Sequence, residues 1–338
     1  MRILSAAALL ICVFAATVAA QPNALVPGSC LLFPTVDSRD GLGKGTIISV
    51  TNTCASKMVG KNNWRYGDIY LHYYYVDKVS CMVSNIGNVW LTPNDTLTVI
   101  AGDHNKSLQQ GFLYVVAEDP ETGALVNFNY LIGSEIVVDA KQNKLWSIPA
   151  IAFRSHADNQ EKVDTLGRFL ADLNGNGSFD FDGSEYDFWP DELFISSFFE
   201  QGGAFESEII LVSALPGDYR VFVNFDYYNN DEDAYSYYGF QFKCWLNTTL
   251  LAISNGFGRL TGTSTEANTG WSRINGGSAI HVLTGKRWYK NELRGGPEDA
   301  PIIGAFVERV KSSPYEYGHL LHHRGSQNGN EFPHSDNS

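Results

Sequence analysis

Short runs of β-forming residues, each closed by a turn signal, recur along this chain from Cys30 to Val310. The clearest is Asp68-Ile69-Tyr70-Leu71-His72-Tyr73-Tyr74-Tyr75-Val76, where nearly every residue is β-branched or aromatic. Gly45–Asn52, Asp95–Ala101, Gly111–Ala117, Phe205–Ser213 and Tyr219–Tyr228 read the same way, and so do Ala124–Ile132 and Ile302–Val310. Pro93-Asn94-Asp95 and Asp119-Pro120-Glu121-Thr122-Gly123 are turns between such runs. Helical periodicity is confined to Leu166, Phe169 and Leu170, enough for one or two turns. Strand following strand at this spacing predicts an all-β protein built as β-sandwiches, immunoglobulin-like or jelly-roll-like. Aromatics at 13% and charged residues at only 18% fit that class better than a helical one.

At 338 residues, two domains are expected. We place the first sandwich at 28–153 and the second at 201–313, joined by an acidic, loop-rich segment at 154–200. Residues 314–338 are polar and His-rich, and a disordered tail is expected there. Residues 1–20 read as a signal peptide. Arg2 starts it, an apolar run from Ile3 to Phe14 follows, and Val18-Ala19-Ala20 supplies small residues for cleavage. No later stretch is long and apolar enough to span a bilayer, so no transmembrane segment is expected after cleavage. The reading is a secreted protein, extracellular or associated with the cell surface.

The net charge of −13 repels phosphate backbones and argues against nucleic-acid binding. Four cysteines remain beyond the leader, Cys30, Cys54, Cys81 and Cys244, and an even number in an exported chain suggests disulfides. Cys54 with Cys81 is the preferred pair, since a bridge there would staple neighbouring strands. Cys30 with Cys244 would tie the first domain to the second, and the sequence leaves that pairing open.

Composition shifts between His156 and Glu192, where acids crowd around Asp172-Leu173-Asn174-Gly175-Asn176-Gly177-Ser178-Phe179-Asp180-Phe181-Asp182-Gly183-Ser184-Glu185. Side-chain oxygens fall on alternate residues and glycine falls where the chain must reverse, which is how a loop wraps a hard cation. Asp172, Asn174, Asn176, Ser178 (through its carbonyl), Asp180, Asp182 and Glu185 are the candidate calcium ligands. The run resembles the calcium loops of EF-hands, dockerins and thrombospondin type 3 repeats, which begin Asp-x-Asx-x-Asx-Gly. That resemblance implies calcium, not a fold. It departs at position twelve, where Gly183 replaces the bidentate Glu, leaving Asp182 or Glu185 to close the shell. A second acidic cluster, Asn229 to Asp233, reads as a hairpin turn.

Catalytic patterns are not in view. There is no Gly-x-Ser-x-Gly, and no carboxylate pair stands on otherwise apolar strands. His319, His322 and His323 near Glu316 have helical spacing for zinc without His-Glu-x-x-His, so they read as tail. Trp64, Tyr66, Trp189 and Trp271 are candidate platforms for sugar stacking. With its leader, its Cys30-Leu31-Leu32-Phe33-Pro34 opening and its Cys244-Trp245 strand, the chain is similar to exported bacterial β-proteins, which implies export and no particular activity. The expected function is a calcium-stabilised, non-catalytic binding or structural protein whose partner is an extracellular protein or a glycan. The alternative is a calcium-dependent carbohydrate-binding or carbohydrate-processing protein.

Overall fold

The computed structural model describes residues 26–56, 66–157, 162–177, 180–181, 183–215, 217–260, 268–287, 299–314 and 316–323. The leader, Trp64, Ser178, Asp182 and the last fifteen residues lie outside that set. The first half forms β1 (Cys30–Asp37), β2 (Lys44–Asn52), β3 (Ile69–Asp77), β4 (Val83–Leu91), β5 (Thr96–Ile100), β6 (Gln110–Glu118), β7 (Leu131–Asp139), β8 (Lys144–Pro149) and β9 (Ile151–Phe153). The second half forms β10 (Glu192–Phe199), β11 (Phe205–Ser213), β12 (Tyr219–Asn229), β13 (Ala234–Phe242), β14 (Trp245–Thr249), β15 (Thr269–His281), β16 (Ile302–Val310), β17 (Glu316–Leu320) and β18 (His322–His323). Two four-residue helices, α1 (Ala101–His104) and α2 (Leu250–Ile253), are minor.

All strand pairing between these elements is antiparallel, in hairpins such as β3–β4 and β12–β13 and in non-local pairs such as β1–β6 and β2–β7 alike. Four sheets result, ordered β5-β2-β7-β8, β4-β3-β6-β1-β9, β14-β11-β16-β17 and β13-β12-β15-β10-β18. The first two enclose one core around Leu31, Phe33, Val50, Tyr73, Tyr75 and Leu113. The last two enclose another around Ile209, Leu211, Phe225, Phe257 and Phe306. The fold is therefore all-β and sandwich-like.

A third core lies between the two sandwiches. Leu32, Tyr114, Val116, Ile151 and Phe153 of the first half meet Ile210, Val212, Trp245, Ile303 and Val307 of the second. This explains a pattern in the strands themselves. β1 and β6 are buried at every position and the first six residues of β16 are buried, whereas β2 and β12 alternate. A strand covered on both faces needs apolar residues at both parities, which Ile209-Ile210-Leu211-Val212 and Ile302–Val307 supply. The Trp245 indole N–H donates to the Pro34 carbonyl at 2.8 Å across this interface.

The disulfide corrects the sequence expectation. Cys81 is bridged to Cys244, across the two sandwiches, while Cys54 and Cys30 are free and buried. Cys54 packs beside Gly67, before β3 begins, and Cys81 follows β3 in the turn to β4. The nine residues of β3 hold the two ends roughly 25 Å apart at about 3.3 Å per residue, far beyond the reach of a disulfide. The tail is corrected as well. Residues 316–323 are not disordered, because β17 pairs with β16 and β18 with β10. Gly318 lies where a side chain would strike Trp146 of β8. The expected helical turn at Leu166–Leu170 is instead a tight hairpin, with Val163 bridged to Phe169 and Gly167 at φ +83°.

Candidate metal loop and its anchorage

The acidic segment is fixed at both ends before its loop begins. Arg168 is buried with Asp164, Nε to Oδ2 at 2.5 Å, and donates to the Asp68 carbonyl at 2.6 Å. Asp119 stands 3.7 Å from the same guanidinium, and Phe128 lies under it at 5.7 Å. A buried guanidinium without such partners would be costly, so this clamp sets where residues 162–170 sit on the first sandwich. Of Ala124–Ile132, expected as one strand, Leu131 and Ile132 open β7 and the rest has a different use. Asn127 N–H donates to the Phe169 carbonyl and the Leu125 carbonyl accepts from Ala171, so the run seats the acidic segment. At the far end, His156 Nε2 lies 2.6 Å from Asp187 Oδ1, and the Arg154 N–H donates to Asp187 Oδ2 at 2.7 Å.

Between these anchors the loop turns on itself. Asp172 accepts from the N–H groups of Gly175 (2.6 Å), Asn176 (3.2 Å) and Gly177 (2.8 Å). Gly175 and Gly177 have φ of +77° and +74°, conformations that other residues adopt only under strain. The Asn174 and Asn176 amides both donate to Asp180 Oδ2, at 2.7 and 3.1 Å. Glu185 uses Oε1 to accept from Leu173 and Asn174 and Oε2 to accept from Asp180. Burial pushes the Glu185 carboxyl above its ordinary pKa, and those three N–H groups offset this only in part. Asp180 adds to the upward push by like charge.

Asp180 leads straight into Phe181, whose ring inserts among Tyr114, Phe153, Tyr186 and Trp189 with centroids 4.6–6.0 Å away. That cluster belongs to the core between the sandwiches. Gly183 closes the turn at φ +79°, where a Cβ would come within 2.2 Å of the Phe188 ring. The loop is thus plugged into the interface by one aromatic residue, and Trp189, expected as a sugar platform, is buried there.

The donor set suits a hard cation in part. The Asn174 and Asn176 amides converge on Asp180 Oδ2, while Asn174 Oδ1 accepts from the Asn176 N–H at 2.9 Å, so presenting both amide oxygens to an ion beside Asp180 would require Asn174 to give up that bond. Asp172 and Glu185 are turned toward backbone N–H groups, so they shape the loop rather than stand open. Among the described residues, no three His, Cys, Asp or Glu side chains gather closely enough to hold a metal by themselves. The second cluster is a closed turn. Asn229 Oδ1 accepts from Asp231 and Asp233 N–H, and Glu232 takes φ +65°. His319 and His322 lie on β17 and β18, and Glu316 is taken by Lys144 and Arg309.

Tyr66 is partly buried, and its carbonyl, not its ring, meets Arg168 at 3.3 Å. Of the expected platforms among the described residues, Trp271 alone stays open, 40% exposed and stacked on Tyr228 at 4.4 Å. No helix among the described residues is long and apolar enough to cross a membrane. No family model and no curated protein matches this chain. Among solved structures it is similar to one described as the crystal structure of PBSX exported protein XepA, at 9% identity over 75% of this chain and 84% of that one, with a TM-score of 0.19.

Proposed function

We propose that this is a secreted or cell-surface protein of binding or structural type, in which calcium stiffens the loop 172–185 and, through it, the joint between two sandwiches. The observation that supports this most directly is the pairing of Asp180 with Phe181. The first sits where two Asn amides converge, and the second is a plug in the inter-sandwich core. An ion held at Asp180 would therefore restrain the plug. With Asn replacing carboxylate at two positions, the affinity expected is that of extracellular modules, roughly 10⁻⁴–10⁻³ M. The test is calorimetric titration of calcium into chelator-treated protein, paired with thermal melts. Heat of binding and a raised thermal midpoint are expected. Neither appearing would end the calcium reading.

A second reading, sugar binding, draws on the outer face of β12, β13 and β15. There the stacked Tyr228 and Trp271 stand beside Asp226 and Arg273, which are paired at 3.1 Å. Exposed aromatic rings flanked by fixed hydrogen-bonding groups suit glycans.

A further inference from the structure

Glu118, Tyr74 and Lys162 belong to three separate parts of the chain, and the fold brings them around one cleft of about 450 Å³. Its floor is the end of the β3–β6 face that is turned toward the second sandwich. There Glu118 is nearly buried and its Oε1 lies 2.8 Å from His72 Nδ1. His72 stacks on Tyr74, with centroids 4.3 Å apart and planes at 19°, and the Tyr74 hydroxyl lies 3.3 Å from the same ring nitrogen. One wall is the turn at Gly123–Leu125 together with Leu170. The opposite lip is the acidic loop, at Asp172, Gly175 and Gly177. The Lys162 ammonium is held there by the Leu173 carbonyl at 2.7 Å. A side chain at Gly177 would meet nothing within 4 Å, so that part of the lip faces open space.

The chemistry of this lining narrows its occupant. A carboxylate acceptor, a phenol and an ammonium donor are each fixed by the protein's own bonds, so a ligand must supply donors and acceptors at close spacing. Glu118 and Asp172, on a chain of net charge −13, disfavour an anion. Lys162 offsets one of these carboxylates, and among the described residues no three acidic, His or Cys side chains gather to hold a metal cation. Leu125, Leu170 and the Tyr74 ring carbons ask for some apolar surface. A small ring bearing several hydroxyls and carbon-bound hydrogens meets all three demands, and the volume lies within the range of small-molecule sites.

We propose that this cleft binds a neutral carbohydrate, with Glu118, Tyr74 and Lys162 as its hydrogen-bonding residues and the acidic loop as its lip. The proposal rests on the sugar-binding reading and relocates its site from the Trp271 face to the cleft.

The experiment is calorimetry on the full chain in calcium with a panel of neutral disaccharides: cellobiose, maltose, lactose and chitobiose. At least one is expected to bind saturably, and Glu118→Gln and Lys162→Ala should each weaken it about tenfold while Trp271→Ala leaves it unchanged. Loss in Trp271→Ala with full binding by Glu118→Gln would overturn the cleft and keep the sugar reading. No binding by any of the four would overturn both. A measurement on the unsubstituted protein guards against a misfolded variant. Bound disaccharide should protect Lys162 from acetylation, read by mass spectrometry, and unchanged acetylation at saturating sugar would overturn the site.

Discussion

Two stretches of this chain look alike as strings of Asp, Asn and Gly or Glu, and they fold into different things. Asn229–Asp233 closes on itself, with Asn229 taking the N–H groups that the turn exposes, and it ends there as a hairpin connection between β12 and β13. Asp172–Glu185 starts the same way, with Asp172 gathering three N–H groups, but it is then closed by a carboxylate thirteen positions on and by a partly buried ring. The difference teaches that acidic turn composition has no fixed meaning. What separates a connection from a candidate site is whether distant groups converge on it.

The largest effect expected along that contrast comes from Phe181→Ala. Removing a partly buried ring from the inter-sandwich cluster should cost about 2–4 kcal/mol, measured by urea unfolding, and should weaken any calcium response with it. A loss below about 0.5 kcal/mol would mean the loop is not plugged into the core.

Next comes Asp180→Asn, which keeps the shape and removes the charge. It should lower the thermal midpoint in calcium by several degrees, equivalent to about 1–3 kcal/mol by linkage, and change little in chelator. Asp172→Ala is the blunter probe. Asp172 also holds three backbone N–H groups, so some loss is expected in chelator, with the larger loss in calcium. Equal losses in both conditions would count against an ion at the loop.

Glu185 adds a pH signature to its loop. Its carboxyl is raised in the fold, so the folded state holds the proton more tightly than the unfolded one. Its contribution is complete below the ordinary carboxylate range and falls as pH climbs through it. In chelator, stability measured from about pH 4 to pH 8 should decline by this route, and Glu185→Gln should flatten the decline. An unchanged slope would show that Glu185 does not titrate as its burial implies. Smallest of all is Asp233→Ala, which removes the Oδ2 that accepts from the Asn229 amide at 3.1 Å. About 0.5 kcal/mol or less, with no dependence on calcium, is expected from chemical denaturation.

Much of the β architecture could be read from residue order, because β-branched and aromatic runs between turn signals leave few alternatives. Even the doubly buried strands are visible in hindsight as unbroken apolar runs such as Ile302–Val307. What could not be read is which surfaces meet. Ala124–Tyr130 has strand composition, yet it serves as a seat for Phe169 and Ala171. Glu316–Leu320 has tail composition, yet it pairs with β16 and lies over Trp146. The loop 172–185 was found by its alternation. Its dependence on Phe181 was hidden, since one aromatic among acids carries no local signal. The cleft was invisible for a related reason: Tyr74, Glu118 and Lys162 become neighbours only through β3–β6 pairing and the Arg168 clamp.

The bridge from Cys81 to Cys244 sets a problem of timing. During synthesis, Cys81 emerges 163 residues before its partner, with Cys54 as its nearest thiol along the chain. Short loops close faster than long ones, so encounter rate favours the pair that the finished structure forbids. Formation of β3 resolves this, because an intact strand carries the two thiols out of each other's reach. Oxidation before the first sandwich has assembled would trap the wrong pair, and oxidation afterwards leaves Cys81 waiting at a turn for the second half to arrive.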